Sequence, residues 1–269
     1  MTVIEAVLWG ILQGLTEFLP VSSSGHLVLA PWLLGRGPSS FFFDVLVHTA
    51  TLLAVLTYFR RDLLALIKGA LDLLRYRRLA TPEARLAWLV ALSAVPAGLA
   101  ALLLRKFVER LFGAPPAAAA LLLVTGAIMF LAERLAARQR DMASMSAREA
   151  LAIGLAQVIT LAPGISRSGI TISAGLAQGL RRQDAARFSF LMAIPVVLGA
   201  TLLEGVDLLG GALPAESGLA LAAGFVAALV SGYAAIALLL RHLQKRGLRP
   251  FAYYCWAMGL FSLAVYLLR

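Results

Sequence analysis

The sequence predicts an all-α polytopic membrane protein arranged as an inverted repeat, each half holding one re-entrant helix pair and three transmembrane helices. Composition is the first reason. Of 269 residues, 61% are hydrophobic and 14% charged, where a soluble domain carries about a quarter charged. Second, six stretches, 43–59, 86–104, 111–132, 188–203, 217–240 and 250–268, hold no charge or one at their very start, and roughly 17–25 apolar residues cross a bilayer as a helix. Third, the chain matches itself at a shift of 144 residues: Glu5/Glu149, Ala6/Ala150, Gly10/Gly154, Gln13/Gln157, Thr16/Thr160, Ser22/Ser166, Ser24/Ser168 and Gly25/Gly169 are identical. The predicted unit is one integral membrane domain, 1–269, with repeat halves 1–144 and 145–269.

The elements follow in order. Residues 2–18 and 26–35 are two short apolar pieces broken at Pro20–Gly25, and 149–161 and 169–180 are two more, broken at Pro163–Gly169. Each is short for a full span, so each pair reads as a re-entrant hairpin, with polar turns that only a cavity tolerates at membrane depth. The opening residues carry no basic run and no small-residue cleavage site, so they read as the first of these pieces and not as a cleaved signal. Three spanning helices follow each pair, and three is odd, which inverts the second half relative to the first. The linker 60–85 has no counterpart and reads as a surface helix or loop. Gly/Ala-rich 218–235 is suited to close packing on another helix or on a second copy of the chain.

Charge orients the chain. The net charge is +10, but seven of 24 basic residues lie in 60–85, four in 134–148 and four in 241–249. That clustering is a loop bias and argues against nucleic acid; these loops face the cytoplasm, and 204–217, with Glu204, Asp207 and Glu216, faces outward. The cluster Arg105, Lys106 and Arg110 then falls outside, against the rule. Cys255, the single cysteine, excludes an internal disulfide and reads as packing.

Between residues 6 and 35 the only formal charge is Glu17 and between 150 and 180 it is Arg167, and the repeat sets Leu161 opposite the first and Ser23 opposite the second. Either they neutralise each other between the hairpin tips, or both act on a third, charged species. Ser22–Gly25 and Ser166–Gly169 each open a helix, where hydroxyls and N–H groups favour an anion; with the Arg167 fork they suit a diphosphate. Gln13 and Glu17, four apart, share a face, and a carboxylate there suits Mg²⁺ or Ca²⁺ or general acid–base work. His26 adjoins the serines, a Ser–His pairing of the activated-nucleophile kind. Asp44 and His48 lie one turn apart on the next helix as supporting groups, and His242 sits in a basic loop.

Gly14–His26 (GLTEFLPVSSSGH) and Pro163–Thr171 (PGISRSGIT) together resemble the bacterial undecaprenyl-diphosphate phosphatases, or bacitracin-resistance proteins, and the resemblance runs the length of the chain. It implies hydrolysis of undecaprenyl diphosphate to the monophosphate at the outer, periplasmic face of the inner membrane. That step recycles the lipid carrier of cell-wall synthesis, and bacitracin competes for the same substrate. It also implies a divalent cation, Mg²⁺ or Ca²⁺, held by Glu17 and Gln13, the glutamine being the family's non-acidic variant. The catalytic positions are Glu17, Ser23, His26 and Arg167; Ser22, Ser24, Gly25, Ser166, Ser168, Gly169 and Thr171 bind substrate. Ser23, His26 or water is the nucleophile, the preferred arrangement being Ser23 with His26 as its proton acceptor. A type-2 phosphatidic-acid phosphatase would need a histidine shortly after Ser166-Arg167, and none is there. The competing class is a secondary transporter or flippase of a lipid phosphate, since inverted repeats with broken helices are a carrier architecture.

Overall fold

A computed structural model describes every residue except 38, 80, 138 and 210–215, and every side chain within these except those of Arg105, Lys106, Glu109 and Leu209. Eleven α-helices run in order among the described residues: α1 Val3–Phe18, α2 Ser23–Leu33, α3 Phe41–Tyr58, α4 Arg60–Tyr76, α5 Pro82–Phe112, α6 Pro115–Leu135, α7 Ala147–Val158, α8 Arg167–Ala177, α9 Arg182–Leu209, α10 Gly218–Lys245 and α11 Arg249–Leu268. No strand occurs among them, only an isolated bridge between Arg140 and Leu180. Six helices, α3, α5, α6, α9, α10 and α11, are long and apolar enough to cross a membrane, one for each expected stretch. Their outward faces carry exposed Leu103, Leu202, Val230, Leu238, Leu260 and Leu267, an apolar exterior that lipid and not water would solvate.

Helix starts in the two halves fall at the same offset. Val3 and Ala147 open α1 and α7, and Ser23 and Arg167 open α2 and α8. α1 and α7 start with the same capping box. Glu5 N donates to Thr2 Oγ1 (3.2 Å) and Thr2 N to Glu5 Oε2 (2.8 Å); Glu149 N donates to Ser146 Oγ (3.3 Å) and Ser146 N to Glu149 Oε2 (2.7 Å). Each box satisfies two donors the first turn leaves unpaired. Arg36 pairs with Glu5 and Arg140 with Glu149. The Arg140 guanidinium, with Ser146, holds the Glu149 carboxyl down at about 2.

Packing crosses between the halves. α1 lies on α10 and α7 on α5, α3 packs on α10 and α9 on α5, while α6 meets α11 and α3 meets α9. The two crossings need glycine at matched positions: a Cβ on Gly10 would sit 2.3 Å from the Gly224 carbonyl oxygen, and one on Gly154 2.3 Å from that of Ser93. Small residues let backbones approach where lipid supplies no hydrophobic drive between helices. The Gly/Ala-rich face of 218–235 is therefore used within the chain, against α1.

Three sequence expectations shift. The broken segments are shorter than read: α2 begins at Ser23 and α8 at Arg167, because Ser22 and Ser166 are the N-caps. The linker 60–85 contains α4, whose Leu64, Ile67, Leu71 and Leu74 are exposed along one side; such a basic amphipathic helix suits a membrane surface. The acidic segment 204–217 is not all loop, since α9 runs on to Leu209 and takes in Glu204 and Asp207; 210–215 lie outside the described residues, as do the side chains of Arg105 and Lys106.

Candidate active site

The two helix breaks meet. A Cβ on Gly25, in the first turn of α2, would lie 3.0 Å from Gly164 Cα in the second break. Ser168 Oγ donates to the Leu19 carbonyl across the junction at 3.3 Å. Beneath them pack Phe18, Val21, Leu29, Met129, Ile172 and Leu191, with Phe18 edge-on to Phe190 at 5.8 Å between ring centroids.

Glu17 and Arg167, 150 residues apart, are joined there: Arg167 Nη2 donates to Glu17 Oε1 at 2.7 Å. Their side chains keep 10% and 15% of their accessible surface. Helix dipoles do not favour either charge, since Glu17 ends α1 and Arg167 begins α8, the reverse of the stabilising placement. Glu17 Oε2 accepts from Ser23 Oγ at 2.6 Å and from Gln13 Nε2 at 3.1 Å. Two buried polar atoms at the centre lack a partner, Arg167 Nη1 and Gln13 Oε1. A buried group of this kind costs about 1–3 kcal/mol unless something meets it. One is a cationic donor suited to a phosphate oxygen, the other a neutral acceptor suited to a hard cation. A small cleft opens at the pair, walled by Thr51, Leu52 and Val55 of α3 and Ala193 and Val197 of α9.

The remaining candidates divide. Ser22 and Ser166 are buried and spend their hydroxyls as N-caps, accepting from Gly25 N (3.2 Å) and Gly169 N (3.1 Å). The expected use of those two N–H groups as an anion nest is thus replaced by internal capping. Ser24 contacts Ser22 Oγ at 3.4 Å, the counterpart of Ser168 with Ser166 at 3.3 Å. Thr171 donates to the Arg167 carbonyl (2.8 Å) and meets Ser189 Oγ of α9 (2.6 Å). The expected Ser23–His26 pair is not made. His26 Nδ1 donates to the Ser22 carbonyl (2.8 Å), and Nε2 faces the Tyr254 hydroxyl (2.7 Å), so Glu17 holds Ser23's proton instead. His48 Nδ1 donates to the Asp44 carbonyl at 2.8 Å, and the ring is within electrostatic reach of Glu17.

Two residues escaped the sequence reading. Thr125 of α6 bridges the second break, donating to the Gly164 carbonyl (2.9 Å) and accepting from Ser166 N (3.1 Å). Tyr254 of α11 does its work at the first. A hydroxyl inside the apolar run 111–132 was the one local signal for Thr125; Tyr254, among several aromatics, offered none. Cys255 is buried and points its thiol at the Pro20 carbonyl, 3.7 Å away.

For a divalent cation, no cluster of three His, Cys, Asp or Glu side chains stands ready among the described residues. Magnesium sites built on substrate phosphates need only one or two carboxylates, and Glu17 beside the unpartnered Gln13 Oε1 fits that description.

An all-helical membrane protein in which two broken helix pairs bring a carboxylate, a hydroxyl and a half-engaged guanidinium to one point belongs to the class of membrane-embedded polar sites for charged lipid headgroups or ions. A family model described as bacitracin resistance protein BacA matches residues 6–261, and the chain belongs to that family. It is 47% identical over 255 residues to an undecaprenyl-diphosphatase of Pelobacter propionicus, covering 94% of this chain and 93% of that one. It is 44% identical over 269 residues to the undecaprenyl-diphosphatase of Methanobrevibacter smithii (97% and 96% covered). With that of Rubrobacter xylanophilus it shares 43% over 271 residues and the full length of both chains.

Proposed function

We propose that the protein hydrolyses undecaprenyl diphosphate to undecaprenyl phosphate and phosphate, recycling a cell-wall lipid carrier and conferring bacitracin resistance. The observation that carries this is the Ser23–Glu17–Arg167 cluster, a hydroxyl 2.6 Å from a carboxylate beside a guanidinium nitrogen with no protein partner. Family membership and the relatives' names support the same reading. The cleft suits the substrate's two ends: charge at Glu17 and Arg167, and apolar α3 and α9 walls for the start of the prenyl chain. The site faces the periplasm in a bacterial inner membrane, as loop charge suggests, and the two halves, 1–144 and 145–269 of one domain, are inverted. The exchange of packing partners between halves supports that arrangement.

Arg167 Nη1 binds the terminal phosphate, and the guanidinium offsets the charge that phosphoryl transfer spreads over its oxygens. Ser23 Oγ attacks the terminal phosphorus and yields its proton to Glu17 Oε2. The bond from that phosphorus to the bridging oxygen breaks, and undecaprenyl phosphate leaves as the anion. Water then attacks the phosphoserine; the bond from Ser23 Oγ to phosphorus breaks, Glu17 returns its proton to Ser23 Oγ, and both protons of the water leave with the phosphate. A bound Mg²⁺ or Ca²⁺ supplies further neutralisation of the diphosphate, and Glu17 and Gln13 are the residues that would hold it.

The test is phosphate release from a prenyl diphosphate by the purified protein in detergent. Release that is lost in Arg167→Ala and Glu17→Ala supports the phosphatase. Movement of lipid phosphate between leaflets without release would favour a carrier instead.

A further inference from the structure

Tyr254 acts on the site from one residue away. Its hydroxyl lies 2.7 Å from His26 Nε2, and His26 Nδ1 lies 2.8 Å from the Ser22 carbonyl oxygen. A carbonyl only accepts, so Nδ1 carries the hydrogen; in the neutral ring Nε2 is bare, and the tyrosine hydroxyl donates to it. The two rings lie 11° from parallel with centroids 5.7 Å apart. His26 is 2% exposed and Tyr254 44%, so the tyrosine covers the histidine from outside. The next residue, Cys255, reaches the Pro20 carbonyl, and α11 therefore grips the first break at two successive positions.

What it grips is under strain. Ser22 has φ +70°, a region that a side-chain-bearing residue keeps only when its surroundings hold it there. Ser22 also caps α2, and the residue after it presents its hydroxyl to Glu17. Ser23 follows Ser22 directly, so the Ser22 backbone sets the direction from which Ser23 reaches Glu17.

We propose that Tyr254 is a positioning residue of the phosphatase site: by donating to His26 Nε2 it fixes the Nδ1–H tautomer, whose bond to the Ser22 carbonyl holds the turn that aims Ser23 at Glu17. This rests on the phosphatase reading above. In it His26 is a brace, and the proton of Ser23 goes to Glu17.

The chain has three histidines, so nitrogen-15 histidine NMR of the purified protein in lipid resolves the brace directly, with His26→Asn identifying the His26 signals. The expected result is a neutral Nδ1–H ring whose Nε2 resonance shifts in Tyr254→Phe, a variant that keeps the stacked ring and removes only the donor. In phosphate release, Tyr254→Phe lowers kcat about tenfold, the scale of one lost buried hydrogen bond, with little change in KM. His26→Asn, whose amide N–H stands in for Nδ1–H, recovers most of the activity that His26→Ala loses. An Asn variant as inert as Ala, or a Tyr254→Phe enzyme with wild-type kcat and an unmoved Nε2 signal, overturns the proposal. Wild-type protein that releases no phosphate would instead overturn the functional reading, and the NMR result would still decide the brace.

Discussion

The first hairpin breaks over Leu19–Ser22 and the second over Ala162–Ser166, and the repeat lays one on the other, yet they are built differently. Both keep the serine N-cap and the Ser-x-Ser-Gly start of the next helix. At the first, the turn closes on Ser22 at φ +70°; at the second, Ser166 is extended at φ −76° and Gly164 takes the left-handed value, φ +96°. The glycine adopts it without penalty, whereas the serine stores about 1–3 kcal/mol. The first break is held from α11 through His26, the second from α6 through Thr125. Each copy also carries one of the two charges, Glu17 standing opposite Leu161 and Ser23 opposite Arg167 in the repeat. A matched pair of caps thus carries an asymmetric site, with acid and hydroxyl on the strained tip and guanidinium on the relaxed one.

The charge asymmetry is the strongest part of that contrast to break. Arg167→Lys should lose nearly as much activity as Arg167→Ala, by more than about a thousandfold, because a point ammonium cannot hold Glu17 and a phosphate together as a fork does. The exchange Ser23→Arg with Arg167→Ser should be as inactive. Substantial phosphate release from either variant would reduce the ion pair to a structural contact. The paired glutamines come next. Gln13→Met should lower kcat about tenfold by freeing the Glu17 carboxylate from its amide donor. Gln157, buried with neither amide atom partnered, should tolerate Gln157→Met and gain about 1 kcal/mol in thermal unfolding, since a buried unpaired amide disappears. Equal effects would erase the distinction between the halves.

Strain gives a smaller effect. Ser22→Gly should leave thermal stability unchanged or raise it by up to about 1 kcal/mol, since glycine relieves the left-handed residue and costs little as a cap. Ser166→Gly should lower it by a few tenths of a kcal/mol, having no strain to relieve. The reverse order would mean the Ser22 conformation is not strained. Least in size are the outer ends of α1 and α7. Glu5 is held at about 2 chiefly by the Thr2 N–H, and Glu149 at about 2 chiefly by Arg140. Both are depressed, so any stability they add is full above the ordinary carboxylate range and fades as pH falls through about 2. Carboxyl titration by carbon-13 NMR should show Glu149 rising markedly in Arg140→Ala and Glu5 rising less in Arg36→Ala.

How much was legible depended on the range of the interaction. Six spans and two breaks rest on residues within a few positions of one another, and hydropathy and spacing expose such patterns. Glu17, Ser23 and Arg167 were legible as candidates because a charge or hydroxyl in an apolar segment is conspicuous. Their partners were less so. Adjacency in sequence suggested His26 for Ser23, but helical geometry carries residue 26 back to the carbonyl of residue 22 and leaves the Ser23 hydroxyl to Glu17. The helix starts moved by three residues in the first pair and two in the second because the serines serve their own helices first.

By itself the sequence determined a helical membrane chain with a repeat of 144 residues, two polar breaks and the charges in them, since apolar length and local backbone chemistry are properties of contiguous residues. Only the tertiary structure decided which groups touch: Arg167 with Glu17 across 150 residues, Thr125 across the second break, Tyr254 behind His26. Those contacts depend on how helices cross, and the crossings are set by close packing of small residues from distant parts of the chain, which no single segment encodes.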